Sequence, residues 1–182
     1  MTKLANIMLA FALVFAFSVG EANAASKAKI DRRVAEAITK FKTHVHGGEA
    51  LLARSAGYLV FPSVKKAGIG IGGEYGTGAL VTHGRTVGYY STAAASIGFQ
   101  LGAQARTEMI VFLEKSAYDK FRASDGWEVG VDASVAVVVV GTGGEIDATA
   151  LNKPIVAFIF NNKGLMYNLS LEGSKISEIH PH

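Results

Sequence analysis

Several patterns in this 182-residue sequence have the residue types and spacing of a chemical site. Gly68, Gly70 and Gly73, within KKAGIGIGGEYGTGALV (65–81), stand at G-x-G-x-x-G spacing. In a strand–turn–helix setting that spacing cradles the pyrophosphate of a dinucleotide. ARSAG (53–57) places Ser55 as in a nucleophile elbow, with alanine for the first glycine. His44, His46, His180 and His182 are possible metal donors, and Asp125, Glu128, Asp132, Glu145 and Asp147 are possible calcium ligands. Each pattern fails on its context. Gly76 and Gly78 come directly after the fingerprint, where a helix should start, and no Asp or Glu lies between Tyr75 and Thr107 to hold a ribose. A segment broken by Pro62, rather than a helix, comes after Ser55. His44 and His46 fall on different faces of a helix, His180 and His182 sit in a terminal HPH expected to fray, and the acids form no D-x-D-x-D-G run. The chain therefore reads as a non-enzyme without a cofactor. The glycines have another use: Gly68, Gly70 and Gly72 bare one face of a strand, which a crossing backbone or an aromatic ring can then approach.

The elements that position these residues are set by periodicity. In SKAKIDRRVAEAITKFKTHVH (26–46), Ile30, Val34, Ala37, Ile38, Phe41 and Val45 recur at steps of three and four, one stripe of an amphipathic helix. Ser26 is its expected cap, and Gly47-Gly48 its stop. A short second helix is expected over Glu49–Ser55, and another over SAYDKFRAS with Ser116 as cap. From Gly68 onward, period-two alternation and frequent turn residues predict short antiparallel strands at 69–75, 79–82, 86–91, 96–104, 107–113, 129–140, 155–160 and 165–171. His83-Gly84-Arg85 is expected to form a tight turn, and Asn161-Asn162-Lys163-Gly164 a four-residue hairpin loop. The fold class is α+β: a strongly bent antiparallel sheet or partly closed barrel, with an N-terminal amphipathic helix and one or two short helices.

Composition sets the compartment. Lys3, the apolar run from Leu4 to Val19, and Ala22-Asn23-Ala24 have the form of a secretory leader, with cleavage predicted after Ala24. Residues 1–24 are thus expected to be removed, leaving 25–182 as one exported domain, periplasmic or secreted. The sequence contains no cysteine, so neither disulfides nor thiolate chemistry are available to it. A formal charge of +3 is too mild for a dedicated nucleic-acid binder. The positive charge is concentrated on the first helix, where Lys27, Lys29, Arg32, Arg33, Lys40 and Lys42 face only Asp31 and Glu36. With Lys65 and Lys66 of the proline-broken FPSVKKAG, expected to be an exposed loop, these cations can sit against anionic phospholipid. The bland reading is that the apolar stripe packs on the sheet while the lysines keep the protein soluble.

The sequence resembles the SYLF-domain family of eukaryotic actin-patch and lipid-binding proteins and of many exported bacterial proteins. The resemblance is carried by AGYLVFPSVKKAGIGIGGEYGTGAL (56–80), GFQLGAQ (98–104), FLEKSAYDKF (112–121) and GLMYNLSLEGSKI (164–176). It implies a lipid-binding module that engages phosphoinositides, and in eukaryotes actin, through an N-terminal amphipathic helix and basic residues. By position it assigns that role to Lys27, Lys29, Arg32, Arg33, Lys40, Lys65 and Lys66. Where many eukaryotic members carry Trp and Pro, this chain has YYSTAAAS with Tyr89 and Tyr90, as in the exported branch. Actin is then not an expected partner, and anionic phospholipid is what carries over. The alternative function is an envelope structural or protein-interaction module without a lipid ligand.

Overall fold

A computed structural model describes residues 27–98, 104–140, 150–163, 171 and 173–182. The leader, Ser26, the strand expected at 165–171 up to Ser170, Glu145 and Asp147 lie outside the described residues, as do positions 99–103 of the strand expected at 96–104. The apolar stripe of the first helix does what its spacing predicts. Helix α1 (Lys27–His44) buries Ile30, Val34, Ala37 and Phe41 against the sheet, and Phe41 stacks edge-on to Phe158 at 5.0 Å. Gly47, at φ +72, ends this segment in the left-handed region. Helix α2 (Gly48–Arg54) begins at the next residue; a Cβ on Gly48 would stand 3.1 Å from the Phe41 ring, so glycine lets the two helices close on one another.

Strand β1 runs without interruption from Gly57 to Thr82, which corrects the expected break and loop around Pro62. Proline has no N–H for a ladder, and the strand accommodates it with a bulge: the register against β3 (Gln104–Phe112) shifts between Phe61 and Val64. The Pro62 carbonyl still accepts a hydrogen bond from Thr107 Oγ1 at 3.0 Å. The bulge also exchanges faces. Tyr58 and Val60 join the core under α1, whereas Leu59, Phe61 and Val64 join the core on the opposite side.

The first half of β1 pairs with β3, and its second half pairs with β2 (Arg85–Gly98). In bending between them the strand passes over itself. A Cβ on Gly78 would collide with the Val60 carbonyl, and one on Gly76 would stand 2.9 Å from Val64 Cγ2. β1's own first half is therefore what crosses at Gly76 and Gly78; of the bare face expected at Gly68, Gly70 and Gly72, Gly68 and Gly70 lie outside the residues whose surroundings are described. The β1–β2 turn is also as predicted: His83 (φ +50) and Gly84 (φ +75) form a two-residue connection of the primed type, with Thr82 opposite Arg85.

The seven described strands lie in the order β4-β7-β2-β1-β3-β6-β5, a curled sheet shaped as a half-barrel. It is mixed: β5 (Ala136–Val139) runs parallel to β6 (Ile155–Lys163), and the other pairs are antiparallel. The single strand expected over 129–140 is divided. After β4 (Trp127–Glu128) the chain turns at Gly130, φ +89, where Asp132 Oδ2 accepts the Glu128 N–H at 2.6 Å. β6 continues through Lys163 rather than turning at Asn161. That residue, at φ +55, lies where the β3–β6 register shifts. The chain end is not frayed either: β7 (Lys175–Ile179) pairs with β2 and β4, and the His182 carbonyl accepts the Lys27 N–H at 3.1 Å. The N-cap position of helix α3 (Lys115–Ala123) is Glu114, which makes no side-chain cap bond and stands two residues before the Ser116 expected for that role. It covers the second face, where Phe112, Phe121 and Trp127 meet ring against ring.

Candidate functional site

Docking of α1 through its apolar stripe decides what the rest of the helix can do. Ile30, Val34 and Phe41 are at most 3% exposed, so the stripe is spent on the fold and cannot also enter a bilayer. What faces solvent is the basic side: Lys27, Lys29, Arg32, Arg33, Lys40 and Lys42 are all exposed.

The structure divides these cations by partner. Lys27 lies at the start of α1, with Nζ 5.6 Å from the centroid of the Tyr89 ring. The Tyr89 hydroxyl donates to both Asp31 carboxylate oxygens at 3.0 Å, and Thr86 Oγ1 donates to Asp31 at 3.3 Å. Burial, then the hydrogen bond to Asp31 and its charge, push the Tyr89 phenol up to about 12. This group fastens the helix start to β2, and Lys27 belongs to it. Arg32 reaches Glu36 at 4.0 Å and Lys42 reaches Glu49 at 3.2 Å, both on the open surface where such pairs contribute little. Lys29, Arg33 and Lys40 have no carboxylate within 4.0 Å among the described residues.

Lys65 and Lys66 part company. They lie in β1, not in a loop, and alternation sends them to opposite faces. Lys65 is exposed and shares with Ser63 the face that carries α1. Lys66 is only 8% exposed, and its Nζ is 3.0 Å from Glu74 Oε1. It is a buried ion-pair partner and drops out of the basic surface.

That ion pair belongs to a cluster that sequence reasoning missed. Glu74 also receives Arg106 Nη2 at 2.5 Å, and Arg106 Nε donates to Glu108 Oε1 at 2.6 Å. Four charged side chains are thus buried together, with Glu108 at 1% exposure. Burial, reinforced by the charge of Glu74 and opposed by Arg106, raises the Glu108 carboxyl to about 6. Two signals were in the sequence. Glu74 stands at an even position among Gly72, Gly76 and Gly78, so it points from the bared face; Arg106 and Glu108 are two apart in a strand that continues as Met-Ile-Val-Phe. Every charge in the cluster is matched and closed off from solvent, which is the signature of a structural network. Ser55 is equally occupied, its Oγ donating to the Leu52 carbonyl at 2.8 Å ahead of strand β1. The G-x-G-x-x-G segment is likewise inside β1, with no helix after it.

The outward-facing candidate surface is therefore Lys29, Arg32, Arg33 and Lys40 of α1 with Lys65 of β1. Tyr75, 53% exposed, extends the same sheet face as Thr77 and Ala79 and adds an aromatic ring with a polar end. Among the described residues no helix is long and apolar enough to cross a membrane. Comparison with known proteins adds one match: residues 93–180 fit the family described as Ysc84, Las17-binding protein actin regulator. The matched segment holds the second half of β2 and everything from β3 to β7, and leaves the basic helix outside it. No curated protein matches the chain.

Proposed function

Taking as premise that residues 93–180 fit the Ysc84 (SYLF) family, we propose that this chain is an exported, non-enzymatic protein that binds anionic phospholipid surfaces. The observation that carries this reading is the exposed set Lys29, Arg33 and Lys40, none matched by a carboxylate among the described residues, on the face shared with Lys65. Each such cation near an anionic bilayer contributes about 1 kcal/mol, so four contribute about 4 kcal/mol, a peripheral and reversible association. With the apolar stripe of α1 docked, that attraction is almost wholly electrostatic and falls as salt shortens the Debye length. The family description concerns actin regulation; an exported protein does not meet actin, so actin is left out of the proposal.

Flotation on vesicles tests it. Wild-type protein should rise with vesicles rich in phosphatidylglycerol and not with phosphatidylcholine alone. The bound fraction should fall between ~0.05 and ~0.5 M salt, and Lys29→Glu with Arg33→Glu should abolish it. Equal indifference to both vesicle types would end the proposal. One observation favours a second reading, an envelope protein-interaction module: on β5, one of the two edge strands of the described sheet, Val137 and Val139 are 38% and 47% exposed. A stoichiometric protein partner recovered without lipid would support that reading instead.

A further inference from the structure

Where α1 crosses β1, a small crevice is lined by Lys29, Ile30 and Arg33 from the helix and by Pro62, Ser63 and Thr77 from the strand. It lies at the point where β1 passes over itself: the bulge turns Ser63 to this face, and Thr77 stands between Gly76 and Gly78, whose missing side chains allow the crossing. Ser63 and Thr77 are half-buried residues whose hydroxyls make no hydrogen bond among the described residues, and Lys29 and Arg33 make no ion pair there. Two hydroxyls without a protein partner and two unmatched cations thus line one crevice, a donor set without an acceptor. Glu36, the nearest acid along this side of α1, is engaged by Arg32.

We propose that this crevice seats a terminal phosphate monoester, and, resting on the lipid-binding reading above, that its source is the headgroup of an anionic phospholipid such as phosphatidic acid. The space open to the centres of oxygen-sized atoms is about 20 Å³, room for one or two phosphate oxygens and not for an acyl chain. A terminal phosphate presents three oxygens on one side and can lower one or two between the hydroxyls while Lys29 and Arg33 meet its charge. A phosphodiester carries substituents on two sides and cannot lower its oxygens in the same way. The crevice thus adds headgroup preference to the general attraction of the basic face.

The test compares wild type with Ser63→Ala/Thr77→Val, which keeps every charge, on phosphatidic acid and phosphatidylglycerol vesicles matched for surface charge. Unchanged Trp127 fluorescence and melting temperature establish that the variant is folded. Wild type should prefer phosphatidic acid, and the variant should lose about tenfold in affinity for it while keeping its affinity for phosphatidylglycerol. Equal binding of both lipids by wild type, or equal binding of phosphatidic acid by wild type and variant, overturns the phosphate site and leaves the general lipid reading standing. A third arm separates the source. If wild type floats with neither vesicle, the lipid reading fails. Inorganic phosphate that shifts the Ser63 and Thr77 amide resonances in wild type, with matching sulfate inert and the variant silent, would then assign the site to free phosphate. No shift there would overturn the site as well.

Discussion

The two buried carboxylates should respond to substitution differently. Glu74 bridges Lys66 and Arg106, so Glu74→Gln breaks two ion pairs and leaves Lys66, 8% exposed, without its carboxylate. Removing one partner from a buried pair costs about 3–5 kcal/mol. Glu108 touches Arg106, which keeps Glu74 when Glu108 is neutralised. Its folded pKa of about 6 stands above the ordinary 4.5, so the native state holds the Glu108 proton more tightly than the unfolded chain does. Stability from this group is then fully present below pH 4.5 and is lost as pH rises through about 6. The shift corresponds to about 2 kcal/mol. Glu108→Gln removes this pH dependence. Its stability relative to wild type should therefore improve by about 2 kcal/mol between pH 4.5 and pH 7, whatever constant offset the amide brings. Urea unfolding followed by the single tryptophan, Trp127, reads both effects, because the indole is buried against Phe121 at 5.6 Å. With a slope of ~2 kcal/mol per molar, Glu74→Gln should lower the midpoint by roughly 1.5–2.5 M at pH 7. A difference between wild type and Glu108→Gln that stays flat with pH would refute the assignment of the burial cost to Glu108. Equal losses from the two substitutions would refute the bridging role of Glu74.

Three further outcomes are expected. Gly78→Ala drives a Cβ into the Val60 carbonyl and should cost about 3 kcal/mol or more, whereas Gly84→Ala, at φ +75 with open space around it, should cost about 1–2 kcal/mol; denaturation midpoints of the two variants give the comparison. Phe41→Ala removes a fully buried ring from between α1 and β6 and should cost about 3–5 kcal/mol, read by thermal melting. A phenol titrating near 12 should appear in the ultraviolet titration of wild type and vanish in Tyr89→Phe; because that pKa is raised above 10, its contribution to stability is lost as pH climbs from 10 towards 12, and the variant should lack that component of alkaline destabilisation.

Features set by one short stretch of chain were legible in the sequence. The three-four spacing of Ile30, Val34 and Phe41 specified α1 and its buried face, and Gly47 marked its end. His83-Gly84 specified a primed turn through two positive φ angles. The expectation that no helix follows the dinucleotide-like glycines held because it rested on the residues immediately after them: β1 simply continues there. Features set by partners distant in sequence were not legible. Pro62 is a strand breaker on its own, but opposite β3 it becomes a bulge, and only that pairing reveals that Lys66 turns inward while Lys65 turns outward. β7 carries a weak pattern of its own and is defined by the open edge of β2. Glu74 and Arg106 are 32 positions apart, so no local window joins them.

The same non-locality divides α1 into two faces with separate duties. As an isolated peptide it would be a membrane-active amphipathic helix, its stripe and its cations both available to a bilayer. In the folded chain, Phe41 is wedged between Phe158 at 5.0 Å and Phe160 at 5.7 Å, and Lys27, Asp31 and Tyr89 tie down the other end of the helix. Lifting α1 into a bilayer would exchange one apolar environment for another at no net hydrophobic gain. It would also open a cavity in the core and break the Tyr89–Asp31 bond. Surface association with α1 still docked is the lower-energy route, so specificity must come from groups that remain accessible in that state. Ser63 and Thr77 lie beside Lys29 and Arg33 without a conformational change, so under the proposed lipid binding it is headgroup chemistry, rather than acyl-chain insertion, that should govern recognition.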